Sequence, residues 1–253
     1  MLEMLRLDGR VAVVTGASRG LGRAMALALA EAGADLALAG RSKPDLEATA
    51  HQVERLGRRA LVVPTDVRIL AEVEALMGRA VTGLGRLDIL VNNSGVAHVG
   101  PFAERPPEEW TRMLETNLTG ALNGCRAVAP HFLAARRGKV INIASMLAAV
   151  GLPHYAVYSA TKGGIVAFTR ALAVEWARYN IQVNAIAPGW FVTDMNAHAF
   201  ADEKLRERFL RDIPMRRTGR EEEIGPLAVY LASPASDFMT GQTIYLDGGH
   251  SAA

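Results

Sequence analysis

Short, almost wholly apolar runs alternate with amphipathic stretches along most of the chain. The runs over 11–15, 35–39, 60–65, 87–91, 139–143, 181–185 and 243–246 predict strands with both faces buried. The stretches over 21–32, 45–56, 70–81, 108–133 and 155–179 have apolar residues at helical spacing and predict helices. Strand–helix alternation of this kind argues for an α/β fold: a doubly wound parallel sheet of about seven strands with helices on both faces. No proline- or serine-rich linker, repeat or low-complexity tract divides the sequence, so 1–253 reads as a single domain. The stretch 190–217 breaks the alternation. It lacks strand character, carries a short charged helical pattern over 202–211 and ends beyond Pro214, which suits either a lid over a binding site or a surface helix.

Composition narrows the function classes. With 28 Lys and Arg against 26 Asp and Glu, the net charge is +2, and the basic residues occur only as scattered pairs such as Arg58-Arg59 and Arg216-Arg217. Neither a basic tract nor a density of aromatics points to nucleic acid. The single cysteine, Cys125, excludes an intrachain disulfide framework and reads as a small buried hydrophobe. No apolar stretch has the ~20 residues needed to span a membrane. Asp8-Gly9-Arg10 interrupts the amino terminus before any signal-like apolar core, so the expectation is a cytoplasmic protein.

Candidate chemistry gathers at the expected strand ends. The first strand runs into Thr15-Gly16-Ala17-Ser18-Arg19-Gly20-Leu21-Gly22 and then a helix, a turn whose glycines let backbone N–H groups approach a phosphate. Its spacing is not G-x-G-x-x-G. The second strand ends in Gly40-Arg41-Ser42, with no acidic residue to hold a ribose 2′-hydroxyl; Arg41, with Arg19 nearby, suits the 2′-phosphate of NADP better than NAD. Asp66-Val67, Asn92-Asn93-Ser94-Gly95, Ser145 and Pro188-Gly189 follow the next four strands, on the edge where open parallel sheets bind ligands. Tyr158 and Lys162 stand four apart in an expected helix and so share a face. A free phenol titrates near pH ~10. A neighbouring ammonium is expected to lower that value towards the range of a general acid/base.

Thr15-Gly16-x-x-x-Gly20-x-Gly22, Asn92-Asn93-Ser94-Gly95, Asn117, Ser145, Tyr158-x-x-x-Lys162 and Pro188-Gly189-x-x-x-Thr193 together resemble the short-chain dehydrogenase/reductase family over nearly the whole chain. The resemblance implies a Rossmann-type fold, with Tyr158 as catalytic acid/base, Ser145 holding the substrate oxygen, and Lys162 lowering the Tyr158 pKa and binding the nicotinamide ribose. Asn117 would anchor a water leading from Lys162 towards solvent. Asp66 and Val67 would flank the adenine; Asn93 and Gly95 would line the cofactor cleft. Thr193 would bond the nicotinamide carboxamide beside Pro188 and Gly189, and the glycine turn from Gly16 through Ser18, Arg19, Gly20 and Leu21 to Gly22 would hold the pyrophosphate. One departure is Ser94, where the family's pattern has alanine. Tyr155 has Ser159 rather than lysine four residues on, and is expected to line the site or pack.

These readings converge on an NADP-dependent enzyme that interconverts a secondary alcohol and a ketone, with a small-molecule carbonyl or alcohol as substrate and no metal. The substrate pocket is expected from 94–99, 146–154 and 190–215, where His98 and His154 could bond hydroxyls or a carboxylate. The segment Pro188-Gly-Trp-Phe-Val-Thr-Asp-Met195 and the stretch ending in Leu246-Asp-Gly-Gly249 resemble gluconate 5-dehydrogenase-like members, which favours a sugar acid. The Gly16-Ala-Ser-Arg-Gly20 loop is equally like that of 3-oxoacyl-carrier-protein reductases. A non-catalytic NADP-binding sensor is the alternative from another class. Resemblance also implies a homotetramer built through the helices over 108–133 and 155–179 and the carboxyl-terminal strand.

Overall fold

The computed structural model describes residues 2–193 and 203–253. Its seven strands are β1 (Val11–Thr15), β2 (Asp35–Gly40), β3 (Ala60–Pro64), β4 (Ile89–Asn92), β5 (Gly138–Ile143), β6 (Ile181–Pro188) and β7 (Thr243–Leu246). They form one sheet in the order β3-β2-β1-β4-β5-β6-β7, with every pairing parallel. The expected doubly wound sheet is therefore present. The direction in which successive strands are added reverses between β1 and β4, which opens the crevice where such sheets bind ligands.

Period-two alternation explains why the strands are apolar throughout. In β1, Ala12 and Val14 join one core cluster while Val11 and Val13 join another on the opposite face. The first cluster is covered by α1 (Gly20–Glu31) and α2 (Lys43–Arg55). The second takes Val73, Leu76 and Met77 from α3 (Leu70–Leu84).

Two helical findings differ from the expectation. The stretch read as one helix over 108–133 is α4 (Pro107–Met113), a π-helical segment (Leu114–Thr119) and α5 (Gly120–Ala135). A π turn inserts one extra residue into the helical ladder, and the apolar spacing is too coarse to register it. After α6 (Ala156–Trp176) and a short α7 (Glu203–Asp212), the chain forms α8 (Gly225–Ala232), which was not expected. This eight-residue, nearly all-apolar helix packs Ala228 and Leu231 on the first cluster, so it lacks the polar face that marks an amphipathic stretch. Of the pattern over 202–211, residue 202 lies outside the described residues, as does the 194–202 part of the expected lid.

The two ends of the sheet differ in chemistry. At the amino ends, Asp88 (5% exposed) accepts bonds from Arg86, Arg10 and the Val11 N–H, and Asp35 pairs with Arg58 and Arg59. Candidate site residues line the carboxyl ends instead.

Candidate active site

The β1–α1 turn is closed by glycines, and at Gly16 and Gly22 an added Cβ would clash. Gly16 and Gly20 have φ of +66° and +56°. A Cβ on Gly22 would stand 2.1 Å from the Gly16 carbonyl oxygen and 2.4 Å from Asn93 Nδ2. The turn therefore hugs the start of α1 and leaves backbone N–H groups at the crevice. Ser18 is half-buried in it, Arg19 is the exposed N-cap of α1, and Leu21 packs on the first core cluster. Asn93 holds the turn from the far side: Nδ2 donates to the Thr15 and Gly16 carbonyls at 3.0 and 3.1 Å. The Asn93 and Ser94 N–H groups donate to Thr15 Oγ1, whose clamping role is additional to those read from the sequence.

Beside this turn, exposed Arg41 follows the end of β2 at Gly40. Thr15 is in register with Ala39, and the Ala17 N–H donates to the Ala39 carbonyl at 3.1 Å, so the two loops leave the sheet side by side. Asp66 follows β3, bonded by Arg68 Nη2 at 2.6 Å. That guanidinium holds the Asp66 carboxyl below the usual carboxylate range against the opposing effect of burial, and Arg41 adds to the lowering. Val67 is buried; its carbonyl accepts from Asn123 Nδ2 at 2.9 Å, and its side chain fills the space over Gly120. On the other flank, the Gly189 N–H donates to the Leu246 carbonyl at 2.9 Å, and a Cβ there would fall 2.6 Å from Asp247 Cα. Pro188 is the last residue of β6. Thr193 reaches back over the glycine turn, with Cγ2 only 3.5 Å from where a Gly20 Cβ would be.

Ser145, Tyr158, Lys162 and Asn117 come together behind this cleft from three separate elements: the end of β5, α6 and the π segment. Ser145 caps a short turn after β5, its Oγ accepting the Leu147 N–H at 3.2 Å. Lys162, 4% exposed in α6, donates from Nζ to the Ile143 carbonyl at 2.7 Å, with Nζ 5.6 Å from the centre of the Tyr158 ring. The π segment turns Asn117 inward. Its Oδ1 accepts the Val96 N–H at 2.8 Å, and Nδ2 donates to the Val96 carbonyl at 2.9 Å and to Thr161 Oγ1 at 3.2 Å. Gly95 faces both: a Cβ there would lie 3.4 Å from Asn117 Oδ1 and 3.7 Å from Lys162 Nζ.

The electrostatics depart from the expected lowering of the phenol. Burial pushes Tyr158 up to about 12, opposed by its hydrogen bond with Ser145. Burial also pushes Lys162 down to about 8. Both shifts have one physical cause, the loss of water around whichever form carries charge, and this outweighs the attraction anticipated between ammonium and phenolate.

Tyr158 also borders an aromatic wall. Tyr155 meets Tyr158 edge-on at 6.3 Å and Trp190 at 6.1 Å, and Trp190 packs on Phe209 of α7 at 4.5 Å. Met146, Leu147 and Ile213 are buried in the same cluster. His98 and His154 do come together, but in a cavity of about 10 Å³ shared with Trp110 and Met113.

A dinucleotide fits these residues: a glycine turn that a Cβ would block, a helix amino terminus, and arginine rather than carboxylate after β2. Among the described residues no cluster of metal-ligating side chains occurs, and no helix is long and apolar enough to cross a membrane.

Comparison with known proteins agrees with this architecture. Residues 16–251 match the family model described as enoyl-(acyl carrier protein) reductase. The chain is 42% identical to 2-dehydro-3-deoxy-D-gluconate 5-dehydrogenase of Escherichia coli, over 98% of both proteins. It is 40% identical to a 3-oxoacyl-acyl-carrier-protein reductase of Staphylococcus aureus, over 94% of this chain and 96% of that one. The crystal structure of a gluconate 5-dehydrogenase from Burkholderia cenocepacia, in complex with NADP and tartrate, superposes with a TM-score of 0.96 at 38% identity, covering 100% of this chain and 99% of that one. With its sheet order, its glycine turn and the Ser145–Tyr158–Lys162 grouping, the chain belongs to the short-chain dehydrogenase/reductase family, as an oxidoreductase acting on CH–OH groups.

Proposed function

We propose that the protein reversibly interconverts a secondary alcohol and a ketone with NADP(H), using Ser145, Tyr158, Lys162 and Asn117. The observation that carries this reading is the convergence of a part-buried phenol with a buried hydroxyl and ammonium beside a glycine turn on one sheet edge. Bound NADPH would supply the hydride. A phenol pushed up to about 12 is protonated at neutral pH, so Tyr158 is ready to give its proton to the carbonyl oxygen. Ser145 donates a hydrogen bond to the same oxygen as negative charge grows there, an effect strengthened by exclusion of water. The ammonium of Lys162 stabilises the phenolate left behind, and Asn117 fixes the loop at Val96 against which that lysine lies.

Cofactor contacts follow the same edge. Gly16, Ser18, Arg19, Gly20, Leu21 and Gly22 hold the pyrophosphate, and Arg19 with Arg41 receives the 2′-phosphate, favouring NADP over NAD. Asp66 and Val67 flank the adenine, Asn93 and Gly95 line the cleft, and Pro188, Gly189 and Thr193 hold the nicotinamide end. Support for NADP comes from the arginine after β2 and from the NADP complex of the Burkholderia enzyme. The stretch around α7 acts as a lid on this single domain, since Phe209 packs against Trp190 beside the site. Relatives' names support two substrate classes, sugar acids and 3-oxoacyl thioesters. We also propose a cytoplasmic homotetramer.

The test is NADPH oxidation against NADH oxidation over a panel of ketones, with wild type and Tyr158→Phe. NADPH turnover that falls by about 10³-fold in the variant, with NADPH affinity retained, is the expected result. Ordinary turnover by Tyr158→Phe would sink the assignment.

A further inference from the structure

The acidic run that leads into α8 brings one of its carboxylates to the glycine turn. Glu221, Glu222 and Glu223 lie in a short 3-10 turn (Glu221–Ile224). Glu223 is held by Arg217, whose guanidinium donates to both of its oxygens at 2.8 Å, and Glu222 pairs with Arg220 at the surface. Glu221 points elsewhere. Its Oε1 stands 3.8 Å from where a Gly20 Cβ would be, on the side where Thr193 also approaches, and its Oε2 pairs with Arg23 of α1 at 3.6 Å.

The position of this carboxylate is fixed by packing. Ile224 is fully buried in the first core cluster, and a Cβ on Gly225 would fall 2.6 Å from Ala28 Cβ, so the 3-10 turn lies tightly against α1. Gly20 opens α1, and the first N–H groups of a helix lack intrahelical partners and attract anions. The same helix end is the proposed seat of the pyrophosphate. In the nucleotide-free protein the helix field favours the Glu221 carboxylate; once nucleotide is bound, the carboxylate repels its phosphates. Arg23 acts with the opposite sign. A part-exposed ion pair of this kind adds little to stability, but both charges stand close enough to the turn to act on a ligand with several negative charges.

Resting on the NADP(H) reading above, we infer that Glu221 holds down the affinity of the glycine turn for the nucleotide pyrophosphate and that Arg23 offsets it. The two charges set nucleotide affinity without touching the reacting atoms. Lower affinity shortens the stay of the spent nucleotide, and product release limits turnover in many enzymes.

The experiment measures NADPH and NADH binding to the full-length protein by fluorescence titration, in wild type, Glu221→Gln, Arg23→Gln and the double variant. At about 20 mM salt, Glu221→Gln should bind NADPH about threefold tighter and Arg23→Gln about threefold more weakly, with the double variant close to wild type. NADH should shift by the same factors, because both nucleotides carry the pyrophosphate. At about 500 mM salt the roughly tenfold gap between the single variants should shrink to about twofold. Opposite signs separate this role from plain support of the fold, which loss of either partner would weaken alike. Both side chains are part-exposed, circular dichroism checks folding, and either single variant alone still gives a sign. Unchanged affinity in Glu221→Gln, weakening in both single variants, or a shift confined to NADPH overturns the inference while leaving the cofactor reading intact. If wild type binds neither nucleotide, the cofactor reading itself falls.

Discussion

At Tyr158 and Lys162, burial sets proton affinity more than their mutual attraction does. The motif makes both residues legible, and their spacing correctly places them on one helix. Water exclusion is not legible, because it comes from packing with distant strands and loops, such as the end of β5 at Ile143 against Lys162 and Trp190 in the cluster around Tyr158. The shifts have consequences for stability. Lys162, pushed down to about 8 from 10.5, is neutral in the fold between those values while the unfolded chain still binds the proton. Stability therefore rises as pH goes from about 8 towards 10. Tyr158, pushed up to about 12, keeps its proton in the fold where the unfolded chain loses it, so stability falls again above pH 10. In the protein without nucleotide, urea denaturation should show wild type gaining about 2 kcal/mol more than Lys162→Met between pH 7.5 and 9.5. Parallel pH profiles of the two proteins would mean that the lysine is not held in a depressed state.

Among the elements, the strands were legible because residues buried on both faces leave unbroken apolar runs. The helices on the second face were less so. The π segment around Asn117 is a local adjustment in which a side-chain amide replaces a backbone ladder, bonding Val96 through both its oxygen and its nitrogen. Apolar spacing over 108–133 carries no trace of it. The β1–α1 turn is the opposite case: its glycines announce close approach, and the structure supplies the reason, a Gly22 Cβ position 2.1 Å from the Gly16 oxygen. Asn93, expected only to line the cleft, also bonds the turn's carbonyls. Gly22→Ala should force the turn away from α1 and weaken NADPH binding about tenfold or more, since backbone N–H groups would no longer converge on a phosphate. Fluorescence titration of NADPH, with far-UV circular dichroism to confirm retained helix content, reads this out. Undiminished affinity would remove the turn from the phosphate site.

For the molecule as a whole, the fold leaves apolar surface that one chain does not cover. Among the described residues β7 is the last strand of the sheet and pairs only with β6. Phe238, shortly before it, is fully exposed, and Val174 on α6 is 81% exposed, with Leu114 and Leu122 exposed at the π segment and on α5. Open edge strands and contiguous apolar patches are normally covered in stable proteins. Here they fall on two regions, the edge at β7 and the outer faces of α5 and α6, which would serve as the two kinds of symmetric contact in the proposed tetramer. The sequence pointed to the same helices and strand only through resemblance, because periodicity does not tell a face buried in its own core from one buried in a neighbour. Light scattering after size exclusion should give a particle of four times the 27.1 kDa chain mass. Phe238→Asp places a charge at the β7 contact alone, so it should reduce the particle to a dimer joined through the helices. Val174→Asp should instead break the helical contact and leave the β7 pairing. A wild-type monomer at micromolar concentration would overturn the tetramer. An unchanged tetramer in both variants would show that these two surfaces are not where the chains meet.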